Sequence, residues 1–168
     1  MNRVVLGAIT MLILMSGCEE KYKYTGCHEP KTLSLEELRS EYPKFLEGKE
    51  IGKAAKIYNY KNGDILLINE RNKGIHVVDN RVEKRGKVSK GDKFIQIPGN
   101  VDMAVKDGYL YADSFTDLLV LDIRDINDIK LVTRKEKIFA VDYRQASYDD
   151  TTKDKCYYHG SEFIIGYE

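Results

Sequence analysis

Three kinds of hydrophobic spacing succeed one another along this chain. Val4 to Met15 is an apolar run broken only by Gly7 and Thr10, behind the short basic start Asn2-Arg3. Residues 33–42, Leu-Ser-Leu-Glu-Glu-Leu-Arg-Ser-Glu-Tyr, then set Leu35, Leu38 and Tyr42 on one face at helical spacing. Ser34 is placed to cap the amide three residues on while Glu37 reaches back, Leu33 is placed to staple onto Leu38, and Pro43 ends the pattern. This predicts a two-turn amphipathic helix that docks on the downstream chain and carries no chemistry of its own.

From residue 56 the period shortens to strand-like runs bounded by turn residues. Lys-Ile-Tyr-Asn-Tyr-Lys-Asn-Gly-Asp (56–64) leads into Ile65-Leu66-Leu67-Ile68-Asn69, a linker, and then Gly-Ile-His-Val-Val-Asp-Asn (74–80). The order returns at Val101: Val-Asp-Met-Ala-Val-Lys-Asp-Gly-Tyr (101–109), Leu110-Tyr111-Ala112-Asp113, a linker, and Leu118-Leu119-Val120-Leu121-Asp122. Lys61-Asn62-Gly63 aligns with Lys106-Asp107-Gly108 at a spacing of 45, and Asp79 with Asp122 at a spacing of 43. A repeat of that length made of short strands predicts β-propeller blades, each a four-stranded antiparallel sheet. The Asn-Gly and Asp-Gly dipeptides supply hairpin turns that tolerate positive φ. Middle strands sandwiched between blades should read as continuous apolar runs, while the charged fourth strands, near Phe94 to Ile97 and Lys130 to Ile138, suit outer edges.

The fold expected is therefore mainly all-β, an incomplete propeller of about two blades (54–98 and 99–140) with a C-terminal remnant (141–168). A closed propeller has roughly four to eight blades. Two units leave outer apolar faces bare, so the isolated chain is expected to be marginally stable, to self-associate through those faces, or to be a shortened relative of a longer propeller.

The leading apolar run is too short to span a bilayer comfortably and reads as a signal peptide. It ends in Met15-Ser16-Gly17-Cys18, which resembles a bacterial lipobox, with Met15 where leucine is usual. Residues 1–17 are then a lipoprotein leader, and Cys18 is the acylated (palmitate-type) first residue of the mature chain. Two acyl chains give stable membrane attachment. Residues 18–33 read as a polar tether, in which Glu19-Glu20 is a spacer or a sorting signal, and 34–50 as the capping helix and a linker. The location implied is the bacterial cell envelope, at the outer membrane.

The runs Gly-Ile-His-Val-Val-Asp-Asn and Asp-Leu-Leu-Val-Leu-Asp-Ile-Arg-Asp resemble the core of the LVIVD repeat of bacterial propeller proteins. The segment from Leu66 to Asp125, with Ile-Pro-Gly-Asn-Val-Asp-Met-Ala-Val (97–105) and Tyr-Leu-Tyr-Ala-Asp-Ser (109–114) its most specific parts, is similar to lipoproteins built from that repeat. The resemblance implies fold and location, and no activity.

Lys and Arg number 27, as do Asp and Glu, so the chain is neutral by count. The basic loop Arg81 to Lys93 is for that reason read as a solvated loop rather than a nucleic-acid site. Candidate chemistry is sparse. Asp102, Asp113 and Asp117 fall in one repeat and are weak candidates for a cation site or acid/base pair, set against strand-end hydrogen bonding. Cys27, His28, Cys156 and His159 are a weak zinc set, and Cys27 with Cys156 a possible disulfide in an oxidising compartment. His76 is expected to pack within its strand. Tyr109, Tyr111, Tyr143, Tyr148, Tyr157, Tyr158 and Tyr167 suit strands and interfaces, or sugar stacking. No phosphate loop, nucleophile elbow or paired-histidine motif is present, and no cofactor is implied. Two functions stay open: a membrane-tethered module binding a protein or glycan, and an extracytoplasmic enzyme or enzyme subunit using Asp102 and Asp113.

Overall fold

The computed structural model describes residues 29–81, 92–140 and 162–167. Strand β1 (Pro30–Leu33) is followed by helix α1 (Leu35–Glu41) and then by β2 (Lys44–Glu47), β3 (Ala54–Tyr60), β4 (Ile65–Glu70), β5 (Gly74–Asp79) and β6 (Lys93–Gln96). After these come β7 (Met103–Lys106), β8 (Tyr109–Ser114), β9 (Asp117–Asp122), β10 (Lys130–Lys135) and β11 (Phe163–Tyr167). The described chain is mainly β, in three antiparallel sheets: β2-β6-β5-β4-β3, β10-β9-β8-β7, and the pair β1-β11.

Each large sheet contains a four-strand meander whose first hairpin turns on the residues suited to it. Asn62 and Gly63 in one sheet, and Asp107 and Gly108 in the other, all have positive φ, the conformation that lets a tight turn match the twist of its strands. The exits also correspond. Arg81 donates from its backbone amide and Nε to Asp79, and Arg124 does the same to Asp122. Both carboxylates thereby hold the chain as it leaves its third strand.

One core joins the two large sheets. Ile65, Leu67, Ile75, Val77, Ile95 and Ile97 from the first pack with Met103, Leu110, Ala112, Leu119, Leu121 and Ile123 from the second. Full burial of each Leu or Ile contributes about 1.5–3 kcal/mol relative to exposure. Long side chains of β3 reach across to the first strand of the other meander: Lys56 donates to the Met103 carbonyl and Tyr58 to the Val105 carbonyl of β7.

Four features differ from the expected pattern. Pro30–Leu33, at the end of the expected tether, forms β1 and pairs with β11. Residues 44–47, within the expected linker, form β2 and pair with β6 from Lys44↔Gln96 to Glu47↔Lys93. That pairing moves the sheet edge outward, so β6 lies inside the sheet with Phe94 and Ile95 buried, and only β10 keeps the charged outer position. Strands β4 and β5 are covered on both faces, whereas β8 and β9 alternate: Leu110, Ala112, Leu119 and Leu121 are buried while Tyr109, Tyr111, Leu118 and Val120 are half-buried.

Helix α1 starts at Ser34, whose side chain accepts from the Glu37 amide while the Glu37 carboxylate accepts from the Ser34 amide. Its Leu38 is buried with Phe115 of the β8–β9 turn and Phe163 of β11, flanked by Leu33, Leu35 and Ile165. The Phe115 and Phe163 rings stand 4.3 Å apart. The helix thus closes one end of the second sheet together with the β1-β11 pair.

Candidate functional site

The β4–β5 hairpin builds the most chemically loaded place in the described chain. Glu70 ends β4 and is the register partner of Gly74, and Ile68 is the partner of His76. Strand alternation therefore puts Glu70 and His76 on one face, diagonal to each other. That face is turned away from the inter-sheet core, and the segment before β3 crosses it at Gly52, where a Cβ would come within 2.7 Å of Glu70 Oε1. Glu70 is only 3% exposed and His76 1%.

A buried carboxylate needs partners, and here it has three. His76 Nε2 donates to Glu70 Oε2 at 2.9 Å, Lys73 Nζ donates to Oε1, and Lys49 Nζ lies 3.7 Å from Oε2. Burial pushes the Glu70 pKa up, but the bonds from Lys73 and His76 and the charge of Lys49 outweigh it and hold the carboxyl below its ordinary value. For His76, burial wins over the attraction of Glu70, and its pKa is lowered. The imidazole ring also packs on Phe94, with centroids 4.7 Å apart, and Lys49 sits 3.8 Å from the centre of that same ring.

Beside this cluster is a pocket of about 100 Å³ lined by Lys49, Asn72, Lys73, Phe94, Gln96, Pro98 and Ile165. The turn that frames it is stitched to its neighbour by backbone bonds: Asn72 N–H to the Asn100 carbonyl, Gly99 N–H to the Asn72 carbonyl, and Ile97 N–H to the Lys73 carbonyl. Asn72 is 8% exposed at φ +64°. The pocket wall is thus held by backbone rather than by the Asn72 side chain.

No family model, curated protein or solved structure matches this chain.

The aspartates singled out in the sequence have other tasks. Asp113 Oδ1 accepts from Asn100 Nδ2 and from the amides of Val101 and Asp102, fastening the chain entering β7 to β8. Burial raises its pKa, with those hydrogen bonds opposing. Asp102 pairs with Lys56 and accepts from the Met103 amide, and the Lys56 bond leads in lowering its pKa. Asp117 does not join them. It lies beside Ser114 in the register, on the opposite face from Asp113, and is held by Arg39 and Arg134. Among the described residues no group of three His, Cys, Asp or Glu is placed to hold a metal ion. Cys18, Cys27, His28, Cys156 and His159, and the possible Cys27–Cys156 disulfide, lie outside the described residues.

Sequence reasoning placed His76 in a strand and missed its partner. Glu70 and His76 are six apart, which means nothing until the turn at 71–73 fixes the register; with a three-residue turn, 68, 70, 74 and 76 share a face. The pair makes a testable pH signature. Because burial lowers the His76 pKa below 6.5 in the folded chain, protons bind the unfolded chain more readily, and stability present above pH 6.5 is lost as pH falls below it. Urea unfolding of wild type should show midpoints decreasing from pH 7 to pH 5, with a shallower slope in His76→Gln. Equal slopes would rule out a buried neutral His76.

Proposed function

We propose that this chain is a membrane-tethered binding module of the bacterial cell envelope. An acylated Cys18 anchors it, at the outer membrane, and a propeller-type scaffold of LVIVD-like units presents the ligand site, for a protein or glycan. The scaffold reading is supported by the two successive meanders, with matching Asp79–Arg81 and Asp122–Arg124 exits and side chains of one first strand bonded to the backbone of the other. The half-buried face carrying Tyr109, Tyr111, Leu118 and Val120 is where a further unit or a second copy would pack.

The observation that carries the binding reading is the contrast between the two polar clusters. Asp102 and Asp113 are committed to a lysine and to backbone amides, whereas the Lys49–Lys73 pocket includes Asn72 and Gln96 in its lining, with no side-chain hydrogen bond engaging either among the described residues. That contrast weighs against the alternative of an enzyme working through Asp102 and Asp113. The full chain in detergent, screened against glycans, peptides and divalent metals, should retain one glycan or peptide class saturably. Stoichiometric metal binding abolished by Asp113→Ala would instead favour the enzyme.

The anchor has its own test. Among the described residues no helix is long and apolar enough to cross a membrane; the attachment proposed is the acyl group on Cys18. Mass spectrometry of the membrane fraction should find acyl chains on Cys18, and Cys18→Ala should leave that fraction. An unprocessed Met1 start would overturn the anchor.

A further inference from the structure

The pocket beside Glu70 has more recognition chemistry than the fold uses. Its charges come to a surplus of one: Lys49 and Lys73 are positive, Glu70 is negative, and His76 is buried and neutral. Lys73 is committed to Glu70, while Lys49, 44% exposed, lies 3.7 Å from the carboxylate and over the Phe94 ring without a closer carboxylate partner of its own. Asn72 is more than nine-tenths buried and lines the pocket, and neither its side-chain amide nor that of Gln96 has a hydrogen-bond partner among the described residues. Neither amide is sealed from solvent, since the buried side-chain polar atom left without a partner among the described residues is Asn69 Oδ1, so both are free to turn to an acceptor from outside. Phe94, Pro98 and Ile165 add apolar wall.

We propose that this pocket binds a monocarboxylate carried on a small apolar body, of the kind a peptide C-terminus presents. Lys49 supplies the charge, Asn72 and Gln96 donate to the carboxylate oxygens, and Phe94 and Ile165 take the aliphatic portion. A dianion such as phosphate would reverse the local charge and find too few donors. The size agrees, since sites for whole drug-sized ligands occupy roughly 300–1,000 Å³, whereas about 100 Å³ admits a terminal group only. The remainder of a longer ligand would run out past Lys49.

This deepens the binding-module reading and is independent of its anchor. The test is titration of the full chain in detergent with N-acetylalanine, its methyl ester, glucuronate and inorganic phosphate, followed by calorimetry or ligand-observed NMR. N-acetylalanine should bind saturably and the ester should not. Lys49→Gln and Asn72→Gly, the latter chosen to suit the positive φ, should each weaken binding about tenfold, the scale of a hydrogen bond to a charged group. Asn72→Gly should unfold near the wild-type midpoint, and Lys49→Gln, which also removes a charge 3.7 Å from Glu70, somewhat below it while remaining folded. The proposal fails if N-acetylalanine does not bind, if the ester or phosphate binds equally well, if both variants bind normally, or if glucuronate binds more tightly. Membrane fractionation and acylation of Cys18 would be untouched by such a failure, which separates it from failure of the anchored-module reading.

Discussion

Replacing Asp117 with alanine should destabilise the chain by about 3–5 kcal/mol, the scale for stripping one partner from a buried ion pair. Its side chain is 0% exposed. Arg39 of α1 donates to it through Nε and Nη2, both at 2.9 Å, Arg134 of β10 reaches it at 3.2 Å, and the Lys137 amide and Thr116 hydroxyl complete its shell. Arg134 also donates to the Leu38 and Tyr42 carbonyls at the end of α1. One carboxylate thus ties the helix, the β8–β9 turn and the edge strand together, and its loss leaves Arg39 with Glu136 alone and Arg134 with only backbone carbonyls.

The same group sets an acid limit. Burial pushes the Asp117 pKa up, but the bonds from Arg39, Lys137, Thr116 and Arg134 outweigh it and bring it down from 3.8 to about 2. A depressed folded pKa means stability that is complete above the unfolded value of 3.8 and is lost as pH falls through that value toward about 2. Denaturant unfolding at pH 7 and pH 3 checks both statements: Asp117→Asn should show less acid sensitivity in that window. A loss of under about 1 kcal/mol in the alanine variant, typical of an ordinary substitution, would mean that the arginines find solvent instead.

Gly74→Ala should be more damaging still, with a loss above about 4 kcal/mol or no folded protein, because a strained backbone and a backbone collision add together. Gly74 has φ +143°, and a Cβ there would lie 2.1 Å from the Ile95 carbonyl oxygen and 2.9 Å from the Ile97 nitrogen. Those atoms belong to the neighbouring strand and its exit, so relief requires β5 and β6 to part. Gly63 is the control. Its φ is +93° with nothing within 4 Å of the added carbon, so alanine there should cost only the conformational part, about 1–3 kcal/mol. Comparable midpoints for the two variants in chemical denaturation would refute the collision argument.

The features that could be read from the sequence are those fixed by near neighbours. Ser34 and Glu37 are three apart, and Asn62-Gly63 and Asp107-Gly108 carry their turn geometry in the dipeptide itself. The apolar runs at 65–68 and 118–121 likewise declare strands. What escaped depends on partners far along the chain. Phe45 and Leu46 are each 43% exposed, so β2 has no alternating signature and is held by backbone pairing to a strand some fifty residues later. Leu118 and Val120 read like Leu119 and Leu121 in sequence, although only the latter pair faces the other sheet. At the candidate site, the aspartates drew attention because carboxylates are conspicuous, yet Asp113 is spent on amides. Asn72 and Gln96 were inconspicuous because an amide without a partner can be recognised only once its surroundings are known.

The pairing of β1 with β11 has a consequence in time. The Thr32 hydroxyl donates to Glu162 across a separation of 130 residues, and Leu33 is the partner of Phe163. Because the chain enters its folding compartment N-terminus first, β1 arrives well before the strand it pairs with. Throughout that interval β1 has an open hydrogen-bonding edge, and Leu38 lacks the Phe163 ring that covers it. The two large sheets can assemble in the meantime, since each draws on its own stretch of chain. A chain truncated before Phe163 should therefore carry a protease-sensitive β1 beside a protected β4–β5 hairpin, because β11 is what seals the first strand.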